Sequence, residues 1–119
     1  MVPFVLALRR AAELVEGVIR DSDFAFRYGG EEFLVVLPGA DADQATRVAE
    51  RLRAEMNHSR FDVGEHTIDL RASFGVAQCR PQQATWDDCV AAADRALYAA
   101  KRAGRNRVVT LPEQPPGQG

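Results

Sequence analysis

Apolar residues recur at helical spacing over residues 4–19: Phe4, Leu8, Ala11, Val15 and Val18, with Ala12 and Ile19 beside them. Arg9, Arg10, Glu13 and Glu16 fall on the other face, so the pattern predicts an amphipathic helix. Pro3 suits its first turn, where a missing N–H costs nothing, and Gly17 weakens its last. Residues 24–28 alternate in size and polarity, and residues 32–37 are nearly continuously apolar after the first. Gly29-Gly30 lies between them, which predicts a β-hairpin whose second strand is buried on both faces. Asp41 followed by Gln44 marks a capping box, and Ala45, Val48, Ala49, Leu52 and Met56 carry the helix that it opens. Residues 60–69 read as a short strand and turn, and 68–78 as a strand with Leu70, Ala72, Phe74 and Val76 on one face. Thr85 with Asp88 is a second cap. Val90, Ala93, Leu97 and Ala100 then give a helix face running to about Arg102, with Gly104 as its stop. Residues 106–110 make a last short strand.

This order predicts an α+β fold of ferredoxin-like type, a mostly antiparallel sheet with packed helices, over residues 1–110. Such a palm opens with a strand, but only three residues precede the helical pattern here, so the first strand reads as missing. Residues 111–119, rich in Pro, Gly and Gln, read as a flexible tail.

Composition narrows the function classes. With 119 residues, 46% hydrophobic and 27% charged, the chain is one globular domain rather than a disordered segment. Its net charge of −2 argues against a polybasic nucleic-acid binder. No apolar run approaches a membrane span, and the charges among the first twenty residues do not suit a signal peptide. Cys79 and Cys89 are too few for a disulfide framework and read as semi-buried thiols, so a cytoplasmic, reducing location is expected. His58 and His66 have no second ligand beside them, and Trp86 is expected to anchor its helix to the core.

The sharpest local feature is Arg27-Tyr28-Gly29-Gly30-Glu31-Glu32-Phe33. Two glycines allow a ligand close to the backbone, and two carboxylates follow at once. On spacing alone this is a solvent-exposed acidic turn or a seat for a hard cation such as Mg²⁺ together with phosphates.

The turn resembles the signature of the GGDEF, or diguanylate cyclase, domain in its Gly-Gly-Glu-Glu-Phe form. The resemblance extends to Arg20-Asp21-Ser22-Asp23-Phe24-Ala25-Phe26-Arg27-Tyr28 before it, to Ser73-Phe74-Gly75-Val76-Ala77, to residues 93–101, and to Gly104-Arg105-Asn106-Arg107-Val108. It covers about residues 6–109. It implies a bacterial signal-transduction domain that condenses two GTP into cyclic di-GMP with release of two pyrophosphates, at Mg²⁺ or Mn²⁺, between the facing sites of a homodimer. Residue by residue, it implies that Glu31 binds metal and that Glu32 is its catalytic neighbour. Gly29 and Gly30 let the nucleotide lie against the turn, and Lys101 and Arg105 grip the terminal phosphates. It also implies an inhibitory cyclic di-GMP site at Arg20 and Asp23, with Arg51 as a further contact. Without the resemblance, Lys101 is a helix C-terminal cation and Arg20–Asp23 a surface ion pair.

The chain departs from the family at its start. The family's first strand ends in Asp-x-Asp-x-Phe-Lys and supplies the other metal carboxylate, and a following Asn and a Gly-Asp pair hold the guanine. Here the Gly-Asp position falls at Phe4-Val5. The expectation is therefore a diguanylate cyclase domain that is incomplete and inactive as an isolated chain. The alternatives are a cyclic di-GMP-binding module using Arg20 and Asp23, or a dimerising remnant. Strand exchange within a homodimer would repair the sheet, and an upstream sensory or receiver domain is a further expected partner.

Overall fold

The computed structural model describes residues 12–29, 32–58, 60–63, 65–69, 71–80 and 85–111. The first part of the expected opening helix, the Gly30-Glu31 pair and the expected tail from residue 112 onward lie outside them.

Helix α1 covers residues 12–18 and is followed by β1 (Phe24–Gly29) and β2 (Glu32–Val36). Then come α2 (Ala42–Asn57), β3 (Arg60–Val63), β4 (His66–Asp69), β5 (Phe74–Val76), α3 (Trp86–Arg102) and β6 (Val108–Thr110). Both predicted caps form as reciprocal boxes. Gln44 N donates to Asp41 Oδ1 at 2.8 Å while Asp41 N donates to Gln44 Oε1 at 2.9 Å. Asp88 N donates to Thr85 Oγ1 at 3.2 Å while Thr85 N donates to Asp88 Oδ2 at 3.1 Å. Gly104, with φ +121, ends α3 in a Schellman closure: Arg105 N donates to Ala100 O at 3.0 Å.

The core forms where the apolar stripes of α1 and α2 meet. Val15, Leu52 and Met56 are buried there, and Leu14, Val18, Ala25, Val35, Ala72 and Phe74 pack around them. Helix α3 makes its own seat on β5. Ala96 and Ala100 are buried, and Gly75 lies so close to α3 that a Cβ would run into the Ala93 carbonyl and the Leu97 backbone. Two side-chain bonds fasten α2 to this unit: Ala42 N donates to Gln78 Oε1 at 3.2 Å, and the hydroxyls of Thr46 and Thr110 lie 3.0 Å apart.

The mixed architecture of helices packed on short strands is the expected class, with four corrections. First, the described strands form three two-stranded sheets, β1-β2 and β3-β4 antiparallel but β5-β6 parallel. The β5–α3–β6 connection carries the chain back along a helix before the second strand starts, and that crossover makes the pair parallel. Second, the expected strand over 68–78 splits into β4 and β5, with residues 71–73 outside either ladder. Third, every residue of β2 is half-buried rather than buried on both faces. Among the described residues β2 pairs only with β1, so its other edge lacks the neighbour that would cover it. Fourth, Trp86 is 52% exposed and does not anchor α3. The capping box and a disulfide between Cys79 and Cys89 hold that end, so the two cysteines are not free thiols.

Replacing Gly75 by alanine is expected to cost about 3 kcal/mol or more, because the obstructing atoms are backbone and cannot rotate away. Gly17→Ala meets nothing within 4 Å and is expected to raise stability by about 0.5 kcal/mol. Urea denaturation of the two variants beside the unmodified chain checks both signs.

Candidate functional site

The hairpin brings Gly29 opposite Glu32, with a break in register between Arg27 and Gly29. Gly30 and Glu31 lie outside the described residues, so the expected metal ligand is not placed. Glu32 is placed at the start of β2. Lys101 Nζ, in the last turn of α3, lies 3.8 Å from Glu32 Oε1, and both side chains are part-exposed. The contact joins two segments 69 residues apart in sequence (101 − 32), and it puts a lysine at the mouth of the acidic turn. A half-exposed pair at this distance adds little to stability, on the order of 0–1 kcal/mol. It leaves the lysine free to exchange its carboxylate for a more highly charged anion.

Arg105 follows the end of the helix. Its backbone is left-handed at φ +62, and so is that of Asn106 at φ +48. An asparagine tolerates this region, whereas an arginine there is held by its surroundings. The Schellman bond fixes one side, and Asn106 N donates to Ser73 Oγ at 3.0 Å on the other. Phe74 N donates to Arg107 O at 2.9 Å just beyond. Arg105 itself is exposed. The expected basic pair thus stands on one helix end and the turn after it. The buried Oδ1 of Asn106 has no hydrogen-bond partner.

The second constellation is tightly built. Asp23 Oδ2 accepts from Arg20 N at 2.8 Å and from Arg20 Nε at 3.3 Å, and Oδ1 accepts from Arg20 Nη2 at 3.2 Å. Arg20 Nη2 also donates to Pro38 O at 3.2 Å, tying the α1–β1 turn to the end of β2. The Asp23 side chain is 2% exposed and that of Arg20 is 64% exposed. Hydrogen bonds from the Arg20 guanidinium hold the Asp23 carboxyl below the usual carboxylate range, outweighing the opposing effect of burial. The sequence allowed two readings of Asp23, a contact to cyclic di-GMP or an ion pair with Arg20. In the structure Arg20 engages both of its oxygens, because the two residues close a single turn in which Asp23 N also donates to Arg20 O at 2.9 Å. The Arg20 guanidinium itself stays exposed to solvent.

A cleft of about 230 Å³ opens beside it, bounded by Arg20, Asp23, Leu37, Gly39, Gln44 and Val48. Arg51 lies one turn past Val48 on α2, is exposed, and pairs with Glu55 at 3.3 Å. A second cleft of about 180 Å³ lies between α1 and the hairpin, with Val15, Glu16, Ala25, Arg27 and Phe33 on its walls. Among the described residues no three His, Cys, Asp or Glu side chains converge as a metal cage. His58 uses Nδ1 on Ala54 O at 2.7 Å, an ordinary helix-end contact.

The Arg20–Pro38 bond, the Ser73–Asn106 bond and the disulfide were not anticipated from the sequence. Asn106 directly after Gly104-Arg105 carried a signal for a left-handed turn. The other two depend on tertiary neighbours.

Residues 6–107 match the family model "Diguanylate cyclase, GGDEF domain". The chain is 37% identical over 102 residues to diguanylate cyclase DosC of Escherichia coli K12, covering 85% of this chain and 22% of that protein. It is 36% identical over 103 residues to diguanylate cyclase A of Treponema denticola, covering 87% and 28%. Among solved structures, the active GGEEF domain of a diguanylate cyclase from Vibrio cholerae superposes with a TM-score of 0.79 at 33% identity, covering 91% of this chain and 68% of that one. The GGDEF domain of DgcB from Caulobacter crescentus, in complex with c-di-GMP, gives 0.78 at 34% identity, with 88% and 63% covered. The chain belongs to the GGDEF family of diguanylate cyclase domains. It spans roughly a quarter of the length of these curated relatives.

The Asp23 carboxylate is stabilised in the folded state, so its contribution is present above the ordinary carboxylate pKa and is lost as pH falls through its depressed folded value. Asp23→Asn is therefore expected to melt lower than the unmodified chain by a constant margin between pH 5 and 8. That margin should shrink below about pH 4. Melting curves across this range test the sign.

Proposed function

We propose that this chain is the catalytic-domain portion of a diguanylate cyclase, condensing two GTP into cyclic di-GMP and two pyrophosphates. In that reaction the 3′-hydroxyl of one GTP attacks the α-phosphate of the other and pyrophosphate leaves. The observation that carries the reading is the meeting of Lys101 with Glu32, which sets a phosphate-seeking cation against the Gly-Gly-Glu-Glu-Phe turn. In this assignment Lys101 and Arg105 hold the terminal phosphates, and Gly29 and Gly30 admit the nucleotide to the turn. Glu32 acts beside the reacting groups and releases Lys101 as the phosphates arrive.

The described residues do not fit a complete Mg²⁺ or Mn²⁺ site. Glu32 is engaged by Lys101, and no acidic cluster converges among them. Glu31 would hold the ion together with a carboxylate brought by another segment. The sequence contains no Asp-x-Asp-x-Phe-Lys and no Gly-Asp at the guanine position, so we propose that residues 1–119 alone do not turn over. The edge of β2 that is unpaired among the described residues is where an added strand would complete the sheet, donated by a second copy or by a segment of a longer protein. Residues 1–110 would form the domain, with 111–119 a tail or linker. A homodimer, an upstream sensory or receiver domain and a cytoplasmic location complete the proposal. Among the described residues no helix is long and apolar enough to cross a membrane.

A second reading is favoured by the Arg20–Asp23 turn and its cleft: a module that binds cyclic di-GMP through Arg20, Asp23 and Arg51. An exposed guanidinium, fixed by Asp23 and the Pro38 carbonyl, is ready to take a guanine edge or phosphate.

Incubating the chain with GTP and Mg²⁺ and separating the products by chromatography tests the first reading. Little or no cyclic di-GMP is expected from residues 1–119. Product is expected when they are embedded in a chain that supplies the missing strand, and its absence there contradicts the assignment. For the second reading, Arg20→Ala is expected to weaken cyclic di-GMP binding about tenfold or more, the loss of a charged bidentate contact. Unchanged affinity in a calorimetric titration would remove that site.

A further inference from the structure

The disulfide joins the segment after β5 to the first turn of α3. Cys79 and Cys89 are ten residues apart in sequence, with Cα atoms 5.4 Å apart, a separation ordinary for bonded pairs. Helix α3 is held unevenly along its length. Its middle and end pack on β5 through Ala93, Leu97, Ala96 and Ala100. Its start does not: Thr85, Trp86, Asp87 and Asp88 are all exposed. Among the described residues, the exposed capping box and the covalent bond are what fix that turn. Cys79 is exposed and Cys89 half-buried, so a small thiol can reach the bond from the Cys79 side. Exposed disulfides exchange readily, whereas buried ones persist.

We propose that Cys79–Cys89 is a reversible thiol–disulfide switch, worked by a low-molecular-weight thiol and its disulfide, that fastens or frees the first turn of α3. In the opening direction one thiolate attacks a sulfur of the bond, forming a mixed disulfide and releasing one cysteine thiolate. A second small thiol resolves the mixed disulfide. The two small thiols leave as one small disulfide, and the protein gains two electrons and two protons as two Cys–SH groups. The closing direction is the reverse. The proposal does not depend on the GTP reading, although the helix concerned is the one that carries Lys101.

The chain supplies its own reporter. Trp86, its only tryptophan, lies one turn before Cys89 on the same face of α3, and disulfide sulfur quenches indole emission. The test holds the full chain, without denaturant, in excess reduced or excess oxidised glutathione. It then alkylates with iodoacetamide and weighs the product. Two cysteines should alkylate after reduction and none after oxidation. Reduction should brighten Trp86, lower the melting temperature by about 5 °C or more, and speed amide exchange in the first turn of α3 but not around Ala96–Ala100. The double variant Cys79→Ser/Cys89→Ser should respond to neither condition. If that variant does not fold, the unmodified chain in the two glutathione buffers still decides the question. Full alkylation after oxidised glutathione overturns the proposal. So does a bond that opens only in denaturant, or identical melting in the two buffers.

Discussion

The close seating of α3 on β5 is the constraint from which the rest of the site follows. Gly75 has no side chain, so the backbone of Ala93 and Leu97 lies directly against the strand. Ala96 and Ala100 are buried on the same helix. From this seat the last turn of α3 ends at the acidic hairpin, and Lys101 meets Glu32. The same seating brings the turn after the helix onto Ser73, which holds Asn106 and with it the backbone of Arg105. A bulkier residue at position 75 would lift the helix and carry Lys101 away from Glu32.

The described residues contain two such anchored units rather than one continuous sheet. The hairpin packs through Ala25 and Val35 on α1 and α2, and the β5–α3–β6 unit reaches the same core through Phe74. Between them, β2 keeps a half-exposed apolar strand with one edge unpaired among the described residues. Exposed edges of that kind invite another strand. The Arg20–Asp23–Pro38 bonds clamp the opposite end of the hairpin, so the turn at one end and the guanidinium at the other are set by the same two strands.

Much of this was legible in the chain itself. The two capping boxes, the helices they open and the stop at Gly104 follow from local chemistry that needs no tertiary partner. The hairpin was legible because Gly29-Gly30 separates two strand-like runs, and the site residues were legible as a resemblance to a family with this turn. What could not be read depends on neighbours distant in sequence. The parallel pairing of β5 with β6 comes from the crossover, and the exposure of β2 from what lies beside it. Trp86 looked like an anchor because large aromatic residues usually bury, yet its turn projects from the core. Cys79 and Cys89 looked like free thiols because composition counts cysteines without saying which are close.

The central claim is that the end of α3 and the acidic hairpin form one phosphate-binding site. Calorimetric titration of magnesium–GTP into the chain, Lys101→Ala and Arg102→Ala tests it most directly. Arg102 is the adjacent cation, stacked 5.7 Å from the Tyr98 ring centre. The account predicts that Lys101→Ala weakens binding about tenfold while Arg102→Ala changes it less than about twofold. Equal affinity of the chain and Lys101→Ala, or no binding by either, would contradict it.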